Sequence, residues 1–231
     1  MFKVDFVDDG RLLEQAQYLR NRVFFGKDGK DTDDFDKFCR HLMAIETTTG
    51  KVVGTYRVLH GEIAQKNAGF YSESEFDLKN IKENCSGRLL EMGRACVDSG
   101  YRVHPVINLM WGRLLDYYSE ENIDYVFGCA SISDPSAEKI GAVLKFFRKK
   151  YFAPEKFRVS PLPGKEYPYD KEGALKDTEI LKAIPSLVKG YLRMGAYVCS
   201  EPVWDRQFNT ADFFMLLDTK KIDPKYSKKF R

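Results

Sequence analysis

The chain has 231 residues and a mass of 26.7 kDa, 43% hydrophobic and 31% charged, which suits a globular protein able to bury a full core. A net charge of +3 gives no case for a nucleic-acid partner, and no apolar run approaches the roughly 20 residues of a membrane span. Met1 to Phe6 does not resemble a secretion leader, so the cytoplasm is the default compartment.

Phe2, Val4 and Phe6 alternate with polar residues and predict a first strand. Leu12, Leu13, Ala16, Leu19 and Val23 then recur at helical spacing. Asp28 to Asp36 is an acidic, glycine-containing loop. Leu42 to Glu46 and Lys51 to Leu59 read as a hairpin turning at Thr49-Gly50. Gly69 to Leu78 is irregular, a polar stretch runs on to Gly87, and Arg88 to Val97 is a central strand. Pro105 opens a helix with Val106, Ile107, Met110, Leu114 and Tyr117 on one face. Tyr125 to Ala130 is the next strand, and Asp134-Pro135 caps a helix expected to bury Ile140, Val143, Leu144, Phe147 and Tyr151. Beyond Pro154 we expect a strand near Phe157 to Leu162, a helix from Pro185 to Met194 ended by Gly195, and a last strand from Phe213 to Leu217. The order predicts one α/β domain, a mixed central sheet flanked by helices, antiparallel in its first half, with a C-terminal elaboration from about residue 155.

Glu91-Met92-Gly93-Arg94 lies within the central strand, and Arg57 lies in its hairpin neighbour. Ionised groups in buried strands must be paired or hydrogen-bonded, so this cluster is the leading site candidate. Strict alternation puts Glu91 and Arg94 on opposite faces; a bulge at Gly93 would bring them together and free a backbone N–H. Glu91 could then accept a proton, Arg57 and Arg94 could hold a carboxylate, and an amide near Met92 and Gly93 could meet an oxyanion. The scattered cysteines (Cys39, Cys85, Cys96, Cys129, Cys199) and histidines (His41, His60, His104) support neither a disulfide or metal framework nor a nucleophilic triad. Two basic stretches, one from Arg148 to Arg158 and one from Lys220 to Arg231, are either solvated surface or a dock for an acidic protein or an anionic membrane.

These residues resemble the acyl-homoserine-lactone synthase branch of the GNAT acyltransferases. Arg20-Asn21-Arg22-Val23-Phe24 is similar to its R-x-x-V-F element, Asp33-x-x-Asp36 to its D-x-x-D, Arg57 to its strand arginine and Glu91-x-x-Arg94 to its E-x-x-R. The tryptophan expected shortly after Phe24 is absent, which disfavours lactone synthesis. A wider resemblance, to the bacterial ornithine N-acyltransferases, covers Gly69 to Leu78, Leu90 to Val97, Phe127 to Ser131, Lys189 to Ala196 and Phe208 to Thr210.

The resemblance implies a GNAT-like fold and transfer of a 3-hydroxyacyl group from acyl carrier protein to the α-amine of ornithine. It leaves open glycine or another amino acid as acceptor, an autoinducer synthase, and a non-catalytic carrier-binding module. It implies catalytic roles for Glu91, Arg94 and Arg57 and substrate contacts from Arg20, Phe24, Asp33, Asp36, Met92 and Gly93. Where coenzyme A-dependent GNAT enzymes carry a glycine-rich pyrophosphate turn, this chain has Arg102-Val103-His104-Pro105-Val106-Ile107. Pro105 lacks an N–H donor, so a carrier-borne phosphopantetheine, its single phosphate met by Arg102, is the expected donor and no separate cofactor is expected. Ser131 either contacts the pantetheine arm or caps the following helix.

Overall fold

The computed structural model describes residues 1–223 and residue 226. The elements in chain order are β1 (Phe2–Phe6), α1 (Gly10–Phe25), β2 (Arg40–Glu46), β3 (Val52–His60), α2 (Gly61–Lys66), β4 (Phe76–Asp77), α3 (Lys79–Asn84), β5 (Arg88–Val97), α4 (Val106–Glu120) and β6 (Ile123–Ser133). They continue with α5 (Ala137–Lys150), β7 (Ser160–Pro161), α6 (Asp177–Ala183), α7 (Ser186–Met194), β8 (Tyr197–Val198), β9 (Val203–Asp205) and β10 (Thr210–Asp218).

Two compact units emerge. The first takes Met1–Gly69 and Arg88–Ile123. Its strands run in the order β1-β2-β3-β5, every pair antiparallel, as the alternation of the first half predicts. Asp9 caps α1 by accepting hydrogen bonds from the backbone N–H groups of Arg11 (2.8 Å) and Leu12 (3.1 Å). Gly26, at φ 64°, ends it. The apolar face of α1 packs Ala16 and Leu19 on Met43, Val52 and Cys96 of the sheet. The opposite face carries α4 so closely that a Cβ at Gly54 would lie 2.8 Å from Met110 Sδ, which is why that strand position holds glycine. Trp111 Nε1 donates to Tyr56 Oη (3.0 Å) on that same face.

The second unit takes Phe70–Gly87 and Asp124–Asp223. Here β10 is the organising strand, pairing antiparallel with β6 along its length and with β8 and β9 at its two ends. Its core is aromatic: Phe147 meets Phe213 edge-on with centroids 5.2 Å apart, and Phe127 and Phe70 approach at 4.8 Å.

Several boundaries differ from expectation. Pro105 is the residue before α4 rather than its first, and α5 is capped by Ser136, which accepts from the Lys139 N–H (3.3 Å). Asp134 instead turns the chain at φ 48°. The strand expected near Phe157 to Leu162 shrinks to β7, because Glu155–Phe157 forms a 3₁₀ turn and Pro161 cannot donate to a ladder. The short helices α2, α3 and α6 escape the sequence reading because six or seven residues hold too few apolar positions to display a period. No helix among the described residues is long and apolar enough to cross a membrane.

Candidate active site

Arg20 sits on the buried face of α1 with no exposed surface, so its guanidinium must find acceptors within the protein. The acidic loop supplies them. Arg20 Nε donates to Asp31 Oδ2 (2.8 Å), Nη1 to Asp36 Oδ1 (3.0 Å) and Nη2 to Asp36 Oδ2 (2.7 Å), with a further bond from Nη2 to the Asp31 carbonyl. From β3, Arg57 Nη1 reaches Asp36 Oδ1 (2.9 Å) and Asp33 Oδ1 (2.5 Å). From β5, Arg94 Nη2 donates to Asp33 Oδ2 (2.9 Å), and its Nε lies 3.0 Å from Asp31 Oδ2.

The six side chains therefore alternate in a closed circuit: Arg20, Asp31, Arg94, Asp33, Arg57, Asp36 and back to Arg20. Each carboxylate bridges two guanidinium groups, and the circuit carries no net charge. Burial alone would favour a neutral Asp36, yet the hydrogen bonds and charge of Arg20, then of Arg57, outweigh it and bring the carboxyl down to about 2. Asp33 is lowered in the same way, burial being outweighed by Arg57 and Arg94.

Arg94 joins this circuit through a bulge. Arg57 pairs with Gly93 and Thr55 with Cys96, so Arg94 and Ala95 together stand opposite Tyr56. Arg94 has φ 51°, the left-handed region, at a cost of order 1–3 kcal/mol for a non-glycine residue. Two carboxylates fix its side chain and so hold that backbone in place. The irregularity falls one residue beyond the expected position at Gly93, because the clamped residue, not the permissive one, takes the unusual dihedral. Gly93 serves differently: a Cβ built there would meet nothing within 4 Å, so space lies open before it.

The register also orients Glu91. Pairing of Leu59 with Glu91 and Arg57 with Gly93 sends Glu91, Gly93 and Arg57 to one sheet face. Glu91 is only 5% exposed. Cys39 senses the same neighbourhood: burial pushes its thiol up to about 12, against the Arg57 charge and assisted by Glu91, Asp36 and Asp33. Such a thiol is no nucleophile at neutral pH. Glu91 shares its sheet face with Gly93, before which space lies open, and a carboxylate so placed can exchange a proton with an incoming group.

The remaining expected residues lie elsewhere. Met92 points to the α4 face, where its sulfur accepts from Tyr118 Oη (2.7 Å); only its backbone is at the bulge. Phe24 packs on the core beneath α1. Arg102 is exposed in the turn before α4 and takes no part in the circuit. Ser131 belongs to the second unit and donates to Asp212 Oδ2 (3.0 Å); it does not cap α5, a role that Ser136 fills. Sequence reading missed Asp31, which closes the circuit, and Gln17, whose Nε2 donates to Asp36 Oδ2 (3.1 Å). The signal for Gln17 was its place one helical turn before Arg20, facing the same loop.

The basic stretches are partly engaged on the protein itself. Arg148 binds Glu201, Lys220 lies 2.7 Å from Asp124 and Lys221 lies 3.1 Å from Asp218. Of the second stretch, residues 224, 225 and 227–231 lie outside the described residues.

A family model described as "Acetyltransferase (GNAT) domain" matches residues 17–112, the span that contains the whole circuit. The chain is 35% identical to an L-ornithine N(alpha)-acyltransferase of Brucella abortus, the alignment covering 93% of this chain and 83% of that one. A Rhizobium meliloti protein of the same name is 32% identical over 93% of this chain and 79% of its own length. Among solved structures, an N-acyl amino acid synthase from uncultured soil microbes superposes with TM-score 0.57 at 10% identity, covering 99% of this chain and 94% of the other. A CoA-dependent acyl-homoserine lactone synthase superposes with TM-score 0.53 at 14% identity, covering 95% and 80%. At such identities these two structures speak for a shared fold.

Proposed function

The chain belongs to the L-ornithine N(alpha)-acyltransferase family, and on that premise we propose that it moves a 3-hydroxyacyl group from acyl carrier protein onto the α-amine of L-ornithine. It is an acyltransferase of the GNAT type. The observation that carries the site assignment is the buried Glu91 set on the same sheet face as Gly93, beside an ion-pair circuit that is already neutral.

An ornithine ammonium cannot attack a thioester until it loses a proton. Glu91 takes that proton, directly or through one water. The free amine then attacks the thioester carbonyl, and a tetrahedral oxyanion forms. Backbone N–H groups at the Gly93–Arg94 bulge are the donors suited to meet it. Collapse breaks the C–S bond and makes the amide. The pantetheine sulfur leaves as a thiolate and takes up the second proton, which the nitrogen sheds in becoming an amide, while Glu91 returns the first proton to solvent. The products are N-acylornithine and carrier protein with a free thiol.

In this scheme Arg57 and Arg94, paired with Asp31, Asp33 and Asp36, position the bulge and set the field around Glu91. Arg102, exposed before α4, is the residue available to a pantetheine phosphate. The donor thus brings its own prosthetic arm and no further cofactor is required. Exposed Lys149 and Lys150 at the end of α5 suit an acidic carrier or an anionic membrane that receives the acylated product.

Incubating the protein with 3-hydroxyacyl carrier protein and a pool of amino acids, then weighing the products, tests the assignment. N-acylornithine is expected; an N-acylglycine would displace the acceptor. Equal turnover with the matching acyl-coenzyme A would displace the carrier-borne donor.

A further inference from the structure

The bulge at Arg94 interrupts the ladder between β3 and β5 at the place where β5 carries its functional groups. Where two residues oppose one, backbone pairing no longer dictates the local path of the strand, and side chains must fix it. On the circuit face Asp31 and Asp33 do so by holding Arg94. The opposite face carries a second set of ties, and both come from α4.

Alternation sends Tyr56 of β3 and Met92 of β5 to that opposite face, because their chain neighbours Arg57 and Gly93 belong to the circuit face. Tyr56 is the residue that stands against Arg94 and Ala95 together, and Met92 is the link between Glu91 and Gly93. Trp111 and Tyr118 lie seven residues apart on one stripe of α4, about 10 Å along its axis. Trp111 Nε1 donates to Tyr56 Oη (3.0 Å), and Tyr118 Oη donates to Met92 Sδ. One tie thus lands on the strand just ahead of the bulge, and the other on the residue across from it.

Tyr56, Trp111 and Tyr118 are all buried, where apolar side chains of similar volume would pack without needing partners. A buried polar pair instead demands one geometry and so specifies a position. Tyr118 is the more telling of the two donors, because a thioether is a weak acceptor and the bond adds little to stability. Burial, with Tyr56 beside it, holds the Tyr118 phenol well above its ordinary range, so the hydroxyl remains a donor.

We propose that Tyr118 is a positioning residue for the acyl transfer: resting on the role given to Glu91 above, it acts through Met92 to hold the Glu91 carboxylate at its working distance from the bulge. The Trp111–Tyr56 bond supplies the fixed point on β3 against which β5 is held. Met92 joins Glu91 directly, so any shift of its side chain towards or away from α4 moves that carboxylate. A misplacement of about 1 Å can cost about 100-fold in rate, which lets a weak bond matter far more to turnover than to folding.

Tyr118→Phe keeps the ring and removes only the hydroxyl. It should lower kcat for N-acylornithine formation by about tenfold, leave KM for ornithine and for the acyl donor within about twofold, and melt at the wild-type temperature. Met92→Leu removes the acceptor and keeps the volume; combined with Tyr118→Phe it should add less than about twofold, because both changes break one bond. In a Glu91→Gln background, Tyr118→Phe should likewise cost less than about twofold, since placing a base matters only while the base is present. A purely structural Tyr118 would lower both backgrounds by the same factor, and that result overturns the proposal. So does wild-type kcat in Tyr118→Phe. Wild-type kcat in Glu91→Gln faults the base itself and this role with it, whereas a slow Glu91→Gln beside an unaffected Tyr118→Phe faults the role of Tyr118 alone.

Discussion

The two units treat buried carboxylates in opposite ways. In the first, three aspartates and three arginines close on one another, every acid bridging two bases. In the second, three acids converge with hydroxyls, a thiol, backbone amides and one lysine, and an enclosed oxygen is left without a donor. A balanced circuit holds strands and loop in register and asks for no ligand. The unbalanced one sets Glu75, Asp205 and Asp212 against each other, and burial with their mutual repulsion raises the Glu75 carboxyl to about 8.

Opening the circuit is the most damaging test of that contrast. Arg20→Ala strips Asp31 and Asp36 of a fully buried partner and should lower unfolding free energy by about 3–5 kcal/mol, read from urea denaturation. A loss under 1 kcal/mol would mean that the circuit is not a structural unit. Glu91→Gln, by contrast, keeps the side chain's shape and leaves the six circuit residues in place, so it should lower kcat by about 100-fold or more while changing the unfolding free energy by less than about 1 kcal/mol. A stability loss as large as that of Arg20→Ala would make Glu91 structural.

The pH dependence should slope in opposite directions. Asp36 has a folded-state pKa depressed from 3.8 to about 2, so its contribution is present above pH 4 and disappears as pH falls towards 2, worth about 2 kcal/mol. Glu75 is raised from 4.5 to about 8, so stability linked to it is full below pH 4.5 and declines as pH rises towards 8. Glu75→Gln should flatten the decline between pH 5 and 8 and leave the acid limb intact. An unaltered decline would show that Glu75 is not the titrating group. The smallest effect belongs to the exposed pairs: Lys220→Ala, losing a pair 77% exposed on the lysine side, should change stability by at most about 0.5 kcal/mol.

Much of the first unit is legible in the chain. Helical spacing finds α1 and α4, the Thr49-Gly50 turn with its β-branched and aromatic flank finds the hairpin β2–β3, and an apolar run finds β5. Arg57 and Arg94 stand out because charge inside apolar patterning demands a partner, whereas Arg20, Asp33 and Asp36 are picked out only by their likeness to the R-x-x-V-F and D-x-x-D elements. Asp31 does not stand out, since the run Asp31-Thr32-Asp33-Asp34-Phe35-Asp36 holds four acids and only the fold tells buried Asp31 from Asp34, whose side chain is 93% exposed. The bulge was foreseeable from the need to bring Glu91 and Arg94 to one face, whereas its exact residue depended on which side chain was clamped. Nothing local reveals the acidic cluster of the second unit, because its members lie far apart in the chain: β9 pairs with β10 to set Asp205 beside Asp212, and Glu75 arrives from the 3₁₀ turn before β4.

The left-handed turn at Arg94 ties the order of folding to the acidic loop. A glycine could hold that dihedral as soon as β5 forms; an arginine holds it only once Asp33, 61 positions earlier, and Asp31 have docked. Closing so long a loop costs entropy before any ion pair rewards it. The strand that carries Glu91 therefore acquires its final shape late, after the hairpin and the first helix have met. A chain arrested before that step would be compact, rich in secondary structure and unable to turn over substrate.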